Sequence, residues 1–428
     1  MTPAKPPTRV EVHVALGLAA LLLFSIVVMS AAFDVARRAD FGCFYTAGVI
    51  VRQGNASRLY DLGLQGEIER QLLGRQRILI YLHPPFESLW FAALAGLSYV
   101  KAYVLWGAIN VVLWWFFQHL VRPCTPIPRN AYGYFLLCSL FVPLWVAFLQ
   151  GQTSVLLLLL FSLTFVSLKR GQDFRAGAFL GLGLFKFAVV VPFAFICLLR
   201  SKWRLMVGLA VTACVLGVMS VMVVGRGGVW SYANLLIDTV RNPDNPLYGD
   251  IRVWEMATLK GFFTRLMIGR FSTVSISALA SAVSAFLVLF VAWRWRQEDR
   301  RPSGNSQGLM FAAALAVTQV TSPYLLMHEL TLMLLAGLLA IGSFEWSGKS
   351  LQRALITVAM VILYAPPVYV LLLRWHAMYL LAPVIVAFAL AAISLAKKAD
   401  VALDSPPRPR CAGSADEVNY RADVATSS

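Results

Sequence analysis

The acidic residue Asp40 stands at the centre of the stretch Arg37–Tyr45, shortly after a long apolar segment, residues 12–33. A carboxylate held at the end of a membrane helix is costly unless water, a partner or a substrate reaches it. A single carboxylate within hydrogen-bonding reach of a hydroxyl group can act as a general base. We therefore predict that Asp40 is a catalytic base at the membrane surface. The alternative is a carboxylate that is only solvated in a polar loop.

A lysine, Lys186, stands in the middle of an apolar run, residues 176–199. An ammonium group at the bilayer centre costs about 2.5–3.5 kcal/mol on insertion scales, so it needs a partner. A lipid phosphate would serve, because lysine offers a point charge to phosphate oxygens. An internal salt bridge would serve as well, and so would a side chain that reaches towards the interface.

Polar residues interrupt apolar sequence at two further places. His328 and Glu329 follow Ser322-Pro323-Tyr324; the histidine could donate to a phosphate or a sugar, and the glutamate could fix its tautomer or contact a hydroxyl group. A structural pair that caps a helix is the alternative. Gln152 follows Gly151 and could bind a sugar or the backbone, unless the glycine only marks a turn.

Other kinds of site find little support in the sequence. The stretch from Arg252 to Gly261 interleaves basic and aromatic residues, which suits sugars and phosphates but is also typical of membrane interfaces. The six cysteines form no CxxC motif and no Cys/His cluster with metal-ligand spacing. No P-loop, GxSxG, HExxH or GxGxxG context occurs, and no DxD-like pair. We therefore predict neither a metal nor a cofactor.

The composition is that of a polytopic membrane protein. Hydrophobic residues make up 59% of the 428 and charged residues 14%, against about 45–50% and about 25% in soluble domains. The net charge of +16 comes from basic residues at the ends of apolar segments, as positive-inside topology and anionic lipid headgroups require. We therefore expect membrane lipids as partners and no nucleic acid.

The apolar segments predict an all-α fold with about twelve transmembrane helices (10–13), each judged by its apolar length against a hydrocarbon core of about 30 Å and by its charged flanks. Several are short, so broken or re-entrant helices are an alternative. The segments lie at residues 12–33, 86–99, 102–121, 131–149, 153–168, 176–199, 203–224, 271–293, 309–321, 325–343, 351–373 and 376–396.

These segments divide the chain into regions. We predict a cytoplasmic N-terminus at residues 1–11, a membrane-embedded domain at 12–396 and a disordered cytoplasmic tail at 397–428. The long first external loop, residues 34–81, is expected to carry short surface helices at Phe44–Val51 and Leu62–Leu73. A plain solvated loop is the alternative.

Charge fixes the orientation of the second half but not that of the middle. The basic cluster from Arg294 to Arg301 marks a cytoplasmic loop, which places a later loop, residues 225–270, outside. Lys169, Arg170 and Arg175 would then also lie outside in a simple alternating count, against the charge rule. Either a segment between residues 131 and 199 is re-entrant, or these cations meet an anionic partner outside.

Several short stretches in matching order resemble a known family. They are Asp40-Phe41 with Tyr45-Thr46-Ala47-Gly48, then Gly54, Leu59-Tyr60-Asp61, Tyr81-Leu-His-Pro-Pro-Phe86, Gly151-Gln152, Leu184-Phe-Lys186 and Ser322-Pro323 with His328. Together they are similar to the membrane-embedded GT-C glycosyltransferases of family 87, which comprise polyprenyl-phosphate-mannose-dependent mannosyltransferases and related arabinofuranosyltransferases. The resemblance runs from the first helix to about residue 396.

The resemblance implies a mechanism. The donor would be a sugar on a polyprenyl phosphate, and the acceptor a glycolipid or polysaccharide at the outer face of the plasma membrane. Asp40 would be the base for the acceptor hydroxyl, with Lys186 and His328 at the donor phosphate, in a reaction that inverts the anomeric centre. Such a donor needs no nucleotide and no obligatory metal. To these residues we add, as sugar- or acceptor-binding candidates, Tyr45, Tyr81, His83, Gln152, Glu329 and Arg252.

The sequence leaves several alternatives open. Mannose is favoured as the sugar, with arabinofuranose as its competitor. The stretch Ala257–Gly261 departs from the Asn-rich pattern that the family shows in the later external loop. The acceptor is therefore the component of the reaction that the resemblance defines least. A transporter or flippase for a lipid-linked sugar is an alternative function, but the absence of a visible internal repeat argues against it. A non-catalytic membrane subunit is a third possible function.

Overall fold

The computed structural model describes residues 39–74, 79–125, 131–242, 256–300, 306–343 and 350–404. Within these ranges the chain is helical and contains no strand, which confirms the predicted all-α fold. The predicted first membrane helix, residues 12–33, and the candidate Arg252 lie outside the described residues.

The described α-helices follow one another with short connections. In chain order they are α1 (Phe41–Arg52), α2 (Leu62–Leu73), α3 (Ser88–Leu94), α4 (Tyr99–Val121), α5 (Ala131–Ser139), α6 (Val142–Leu149), α7 (Ser154–Lys169), α8 (Asp173–Leu182), α9 (Phe187–Leu199), α10 (Trp203–Arg241), α11 (Leu259–Met267), α12 (Thr273–Arg300), α13 (Ser306–Val320), α14 (Leu332–Gly342), α15 (Leu351–Tyr364), α16 (Pro366–Arg374) and α17 (Leu381–Asp404).

Five helical stretches of the described residues are long and apolar enough to cross a membrane. A sixth counts if α15 and α16, which meet at an angle of 68°, form one broken span. The chain is thus a membrane protein, as predicted, whereas the count of about twelve spans is not confirmed. The five stretches are Tyr99–Cys124, Asp173–Leu199, Trp203–Thr239, Thr273–Arg300 and Met378–Ala396.

Although residues 173–199 have the length of one span, their contacts are those of a hairpin. In α8, the carbonyl of Ala176 accepts a hydrogen bond from Thr164 Oγ1 of α7 at 3.4 Å. In α9, the ring of Phe193 lies 5.2 Å from that of Phe161, also on α7. Thr164 and Phe161 lie within one helical turn of each other, so α8 and α9 pass the same level of α7.

The chain reverses at the 3₁₀ turn Gly183–Lys186, which joins α8 to α9. The next helix agrees with this reversal, because Gly177 in α8 packs so closely against the carbonyl of Leu205 in α10 that a Cβ would not fit. In one straight helix, residues 177 and 199 would be about 33 Å apart, too far for the few residues from 199 to 205 to return comfortably. Lys186 therefore lies at the tip of a re-entrant hairpin.

Two neighbouring elements also stop short of a full membrane crossing. α7 is about 24 Å long and α13 about 22 Å, at 1.5 Å per residue, against a hydrocarbon core of about 30 Å. α13 and α14 form a second hairpin, since Gly308 lies beside Ser343 at its open end and residues 321–331 form its tip. The start of α7 and the two hairpin tips meet at one level, inside the protein.

The turn between α9 and α10 is fixed to the end of α12. Arg200 makes two hydrogen bonds to Asp299, of 2.8 and 2.7 Å, and its guanidinium lies 3.5 Å from the centre of the Trp295 ring. Because the α8–α9 hairpin returns to the end where it began, Lys169 and Arg170 lie at this same end. These cations thus lie at one end of the helices, which is the arrangement that the re-entrant alternative predicts.

The long helix α10 is broken at Gly225, whose φ of 72° and ψ of 173° are not helical. Only glycine adopts this combination at little cost. Leu216 and Leu236 lie on opposite sides of the break yet line one groove, although a straight helix would separate them by about 30 Å. The region after Gly225, expected to begin the later external loop, is therefore a helix that folds back on the first part.

The region predicted as the first external loop is helical where the sequence indicated, but it is not wholly at the surface. α2 has the predicted bounds, with Asp61 as its N-cap and Gly74 at its end. α1 covers the predicted stretch Phe44–Val51 but is packed inside: Phe41, Phe44 and Ile50 are fully buried. The reason is that apolar residues occur on every face of α1 instead of forming one apolar stripe.

Candidate functional site

The position of Asp40 is fixed by a turn that is distant in sequence. Asp40 is the N-cap residue of α1, and its backbone N–H donates to Gln150 Oε1 at 3.0 Å. The N–H of Phe41 donates to the carbonyl of Gln150 at 2.9 Å. Gly151 follows with a φ of 61°, and a Cβ there would lie 2.7 Å from Phe41 Cβ, so only glycine allows this approach.

The carboxylate of Asp40 is both held and accessible. Gln152 Nε2 donates to Asp40 Oδ2 at 2.7 Å, and His328 Nδ1 lies 4.0 Å from the same oxygen. The side chain of Asp40 is 30% exposed, whereas that of His328 is 5% exposed. A carboxylate with fixed neighbours and an open side has the geometry that a general base needs.

Lys186 forms an ion pair inside the protein. Its Nζ lies 3.0 Å from Glu329 Oε1, and both side chains are largely buried. The other oxygen of Glu329 accepts from the N–H of Leu326 at 3.0 Å, and the Glu329 carbonyl accepts from Gln319 Nε2 at 2.7 Å. The internal salt bridge that the sequence left open is thus formed, and a phosphate at Lys186 would have to share the cation with Glu329.

The tip of the α13–α14 hairpin carries His328 beside this pair. The backbone carbonyl of His328 accepts from Thr331 Oγ1 at 2.6 Å, and the same hydroxyl lies 3.2 Å from the carbonyl of Pro143. The imidazole interacts electrostatically with Glu329, Lys186 and Asp40. One short hairpin therefore brings a histidine to Asp40 and a glutamate to Lys186.

A further histidine pairs with a carboxylate that sequence reasoning missed. His83 Nδ1 lies 2.6 Å from Glu87 Oε2, and the side chain of Glu87 is completely buried. The signal was present, because Glu87 is a lone acid at the start of an apolar segment, four residues after a histidine, and such an acid needs a partner. Glu87 also interacts electrostatically with Lys186.

The two tyrosine candidates use their hydroxyl groups in packing. Tyr45 donates to the carbonyl of Leu97 at 2.7 Å, and Tyr81 donates to that of Pro84 at 3.1 Å. Both side chains are buried. They support the walls around Asp40 and His83, and a direct contact with a sugar would require these hydrogen bonds to open.

The thiol of Cys43 lies one turn along α1 from Asp40. Its Sγ donates to the carbonyl of Asp40 at 3.1 Å. Burial, and secondarily the negative charge of Asp40, raises the pKa of the Cys43 thiol well above its ordinary value. Cys43 is therefore a neutral packing residue and not a nucleophile.

A mostly apolar, open groove of about 300 Å³ lies close to these groups. On one side are Pro84 and Phe86, which lie between His83 and Glu87 in sequence, and on another are Leu184 and Phe187, which lie on either side of Lys186 in sequence. Both parts of α10 complete it. Asp40, Lys186 and His328 do not line this groove themselves. The groove thus adjoins the charged cluster from the apolar side.

The structure brings five of the predicted site residues together: Asp40, Gln152, Lys186, His328 and Glu329. Within the described ranges, no group of three or more His, Cys, Asp or Glu side chains has the arrangement of a metal site. The arrangement offers a partly open carboxylate, an ammonium group, an imidazole and an apolar groove nearby. Such a set can activate a hydroxyl group and hold an anion attached to an apolar chain.

Comparison with known proteins gives one match. The family model of glycosyltransferase family 87 matches residues 81–323. No curated protein and no solved structure matches the chain. The matched range contains His83, Gln152 and Lys186, while Asp40 and His328 lie outside it.

Proposed function

The chain belongs to glycosyltransferase family 87, and we propose that it transfers a sugar from a polyprenyl-phosphate donor to a hydroxyl group of an envelope glycolipid or polysaccharide. Mannose is the favoured sugar, and arabinofuranose would be transferred by the same mechanism. The fold would be of the GT-C type.

The single observation that carries this proposal is the environment of the Asp40 carboxylate. Its carboxylate is partly exposed, is held by Gln152 at 2.7 Å and has His328 at 4.0 Å. As the acceptor oxygen attacks the anomeric carbon, its proton passes to Asp40, and the bond from that carbon to the phosphate oxygen breaks on the opposite face. The phosphate leaves with the electron pair, so the anomeric configuration inverts.

Cations near the leaving phosphate would stabilise the charge that develops in the transition state. Lys186 is one, provided that the phosphate shares it with Glu329. His328 is a second group for the phosphate, because its Nδ1 lies 4.0 Å from Asp40 Oδ2 and a neutral imidazole can donate an N–H hydrogen bond. The Lys186–Glu329 pair also explains how a buried ammonium persists while the site is empty of substrate.

The groove beside the cluster supports a lipid-linked donor. Its walls, Leu184 and Phe187 among them, are apolar, and a polyprenyl chain is a branched hydrocarbon. Since Lys186 lies between these two wall residues in sequence, a chain in the groove would bring its phosphate towards the lysine. A nucleotide sugar would gain nothing from such a surface.

The distribution of charge supports an active site that faces away from the cytoplasm, in a plasma membrane. The cation-rich end, which contains Arg200 and the end of α12, would be cytoplasmic by the positive-inside rule. Lys186 and His328 lie at the opposite ends of their hairpins. A site there would open to the outer face, where an envelope acceptor is found.

The test is transfer in vitro from synthetic polyprenyl-phosphate mannose and polyprenyl-phosphate arabinofuranose by the purified protein, wild type against Asp40→Asn. We expect the variant to lose at least about 100-fold in rate, the lower range for loss of a general base. Asp61→Asn is the matched control, because asparagine also caps helices. Equal transfer by Asp40→Asn would remove Asp40 as the base. No transfer from either donor by the wild type would reject the proposed function.

A further inference from the structure

The His83–Glu87 pair has features that its packing alone does not require. Both carboxylate oxygens of Glu87 are buried, and neither makes a linear hydrogen bond; the 2.6 Å contact with His83 Nδ1 is an ion contact off the ideal N–H direction. A fully buried carboxylate is costly unless a cation accompanies it. Glu87 therefore needs a donor or a cation beside it, and His83 Nδ1 lies within contact distance.

The imidazole ring of His83 is held from several sides. The Phe44 ring packs edge-on at 4.8 Å and the Tyr81 ring is tilted at 5.6 Å. The carbonyl of His83 accepts from Tyr60 at 2.7 Å. The side chain nevertheless remains 17% exposed. Because Nδ1 faces Glu87, Nε2 is the nitrogen left to bind a ligand.

The location of the pair links the groove to the reacting carboxylate. His83 is followed by Pro84 and Phe86 in the groove wall. On the other side, Phe44 lies one helical turn after Asp40 on α1, so the ring that contacts His83 is on the same face as Asp40. His83 also interacts electrostatically with His328. His83 is thus next to the groove wall in sequence and in contact with the helix that begins at Asp40.

Resting on the proposed lipid-phosphate donor, we propose that His83 is a further residue of the phosphate site and that Glu87 is the positioning residue that holds its charge. The imidazolium Nε2–H donates a hydrogen bond to an oxygen of the donor phosphate. When the bond from the anomeric carbon to the phosphate oxygen breaks, that oxygen keeps the electron pair and the phosphate changes from a diester to a monoester with more charge. The acceptor proton goes to Asp40, and His83 keeps its own proton.

This assignment follows from the charges that surround the other two candidates. Lys186 is already neutralised by Glu329 at 3.0 Å, and His328 Nδ1 lies 4.0 Å from Asp40. Lys186 and His328 thus each lie beside a carboxylate of the reacting cluster. The Nδ1 edge of His83 faces the buried carboxylate of Glu87, so the opposite, Nε2 edge is the one left to donate to a ligand.

The experiment distinguishes binding of the phosphate group from binding of the hydrocarbon chain. Inhibition of transfer is measured with polyprenyl phosphate and with the neutral polyprenol of the same length, for the wild type, His83→Gln, Glu87→Gln and the double variant. We expect His83→Gln to raise the inhibitory concentration of polyprenyl phosphate about 10- to 100-fold, as for loss of a charge-assisted hydrogen bond, and to leave that of polyprenol unchanged. Glu87→Gln should have a smaller effect in the same direction, and none once His83 is glutamine.

Matched controls are His119→Gln and Glu67→Gln, which change the same residue types at exposed helix positions. If Glu87→Gln does not yield a monodisperse protein, the test relies on His83→Gln, because the side chain of His83 is partly exposed. Weaker inhibition by polyprenyl phosphate and polyprenol alike would overturn the proposal, since it would indicate a damaged groove. An equal effect of Glu87→Gln with and without His83 would remove Glu87 as its positioning residue.

The outcomes also distinguish this inference from the proposed function. If the wild type transfers sugar but His83→Gln leaves inhibition by polyprenyl phosphate unchanged, the role of His83 is rejected and the transferase remains. If the wild type transfers from neither donor, inhibition is replaced by direct binding of labelled polyprenyl phosphate. Binding that His83→Gln weakens would then support the phosphate site while the transferase is rejected.

Discussion

The side-chain amide of Gln152 donates to Oδ2 of Asp40 at 2.7 Å, across 112 positions of sequence. The contact joins the start of α7 to the start of α1, and the same turn fixes Asp40 a second time, because the side-chain Oε1 of Gln150 accepts from the Asp40 N–H. Because the hydrogen bond uses one carboxylate oxygen, it fixes the direction in which the carboxylate faces. Gln152 is thereby a positioning residue for the proposed base.

Replacing Gln152 should lower turnover more than substrate binding. Gln152→Ala removes the donor, and we expect kcat to fall about 10- to 100-fold with KM little changed, as for loss of one hydrogen bond to a charged group. Gln152→Glu should be worse, because a second carboxylate would repel Asp40. Steady-state kinetics with the polyprenyl-phosphate donor measure both. Gln71→Ala, on the exposed face of α2, is the control, and an equal loss in kcat there would refute the specific role of Gln152.

The Lys186–Glu329 pair allows stability and activity to be tested separately. Lys186→Met leaves Glu329 as an uncompensated buried charge, and we expect a loss of about 3–5 kcal/mol in the free energy of unfolding. The double variant Lys186→Met/Glu329→Met should recover most of that stability but no transfer activity. Thermal unfolding in detergent and the transfer assay measure the two quantities.

The exposed pair Arg58–Asp61 provides the comparison for this prediction. Its side chains are 59% and 38% exposed, and exposed pairs contribute about 0–1 kcal/mol. Arg58→Met should therefore have little effect on stability or transfer. Full transfer activity in the Lys186→Met/Glu329→Met protein would mean that the pair serves the fold alone.

The sequence predicted the parts of the fold that depend on local signals. The bounds of α2 follow from Asp61 as N-cap and Gly74 as the left-handed residue at its end, and both are visible in the sequence. The candidate residues Asp40, Lys186 and His328 were found because each is a polar residue that apolar surroundings cannot leave unpaired. The structure brings these three near one another.

Other features depend on contacts that the sequence does not encode locally. Residues 173–199 have the length and hydropathy of one span, and only the packing of Phe161 against Phe193 and of Gly177 against Leu205 reveals a hairpin. Glu87 was missed because its partner, His83, was interpreted as a sugar ligand. The sequence also could not identify the partner of Lys186, because a phosphate and a carboxylate satisfy an ammonium group equally well.

Close packing of α8 against α10 should make Gly177 intolerant of a side chain. A Cβ there would collide with the backbone carbonyl of Leu205, which cannot move without shifting the helix. We expect Gly177→Ala to destabilise the protein by about 1–3 kcal/mol or more and to lower transfer, because the hairpin carries Lys186. Gly227→Ala is the control, since no atom lies within 4 Å of its Cβ position, and alanine there should be neutral or slightly stabilising. Thermal unfolding of both variants checks the prediction.

The re-entrant hairpin predicts which positions are accessible from each side of the membrane. Single cysteines at Gln172 and Arg204, on either side of the α8–α9 hairpin, should react with a membrane-impermeant maleimide from the same face, in sealed vesicles of known orientation. A cysteine at Arg58, beside α2, should react only from the opposite face. All three positions are exposed. If residues 173–199 crossed the membrane as one span, Gln172→Cys and Arg204→Cys would be labelled from opposite faces, and Lys186 could no longer be placed at the tip of a hairpin beside Glu329.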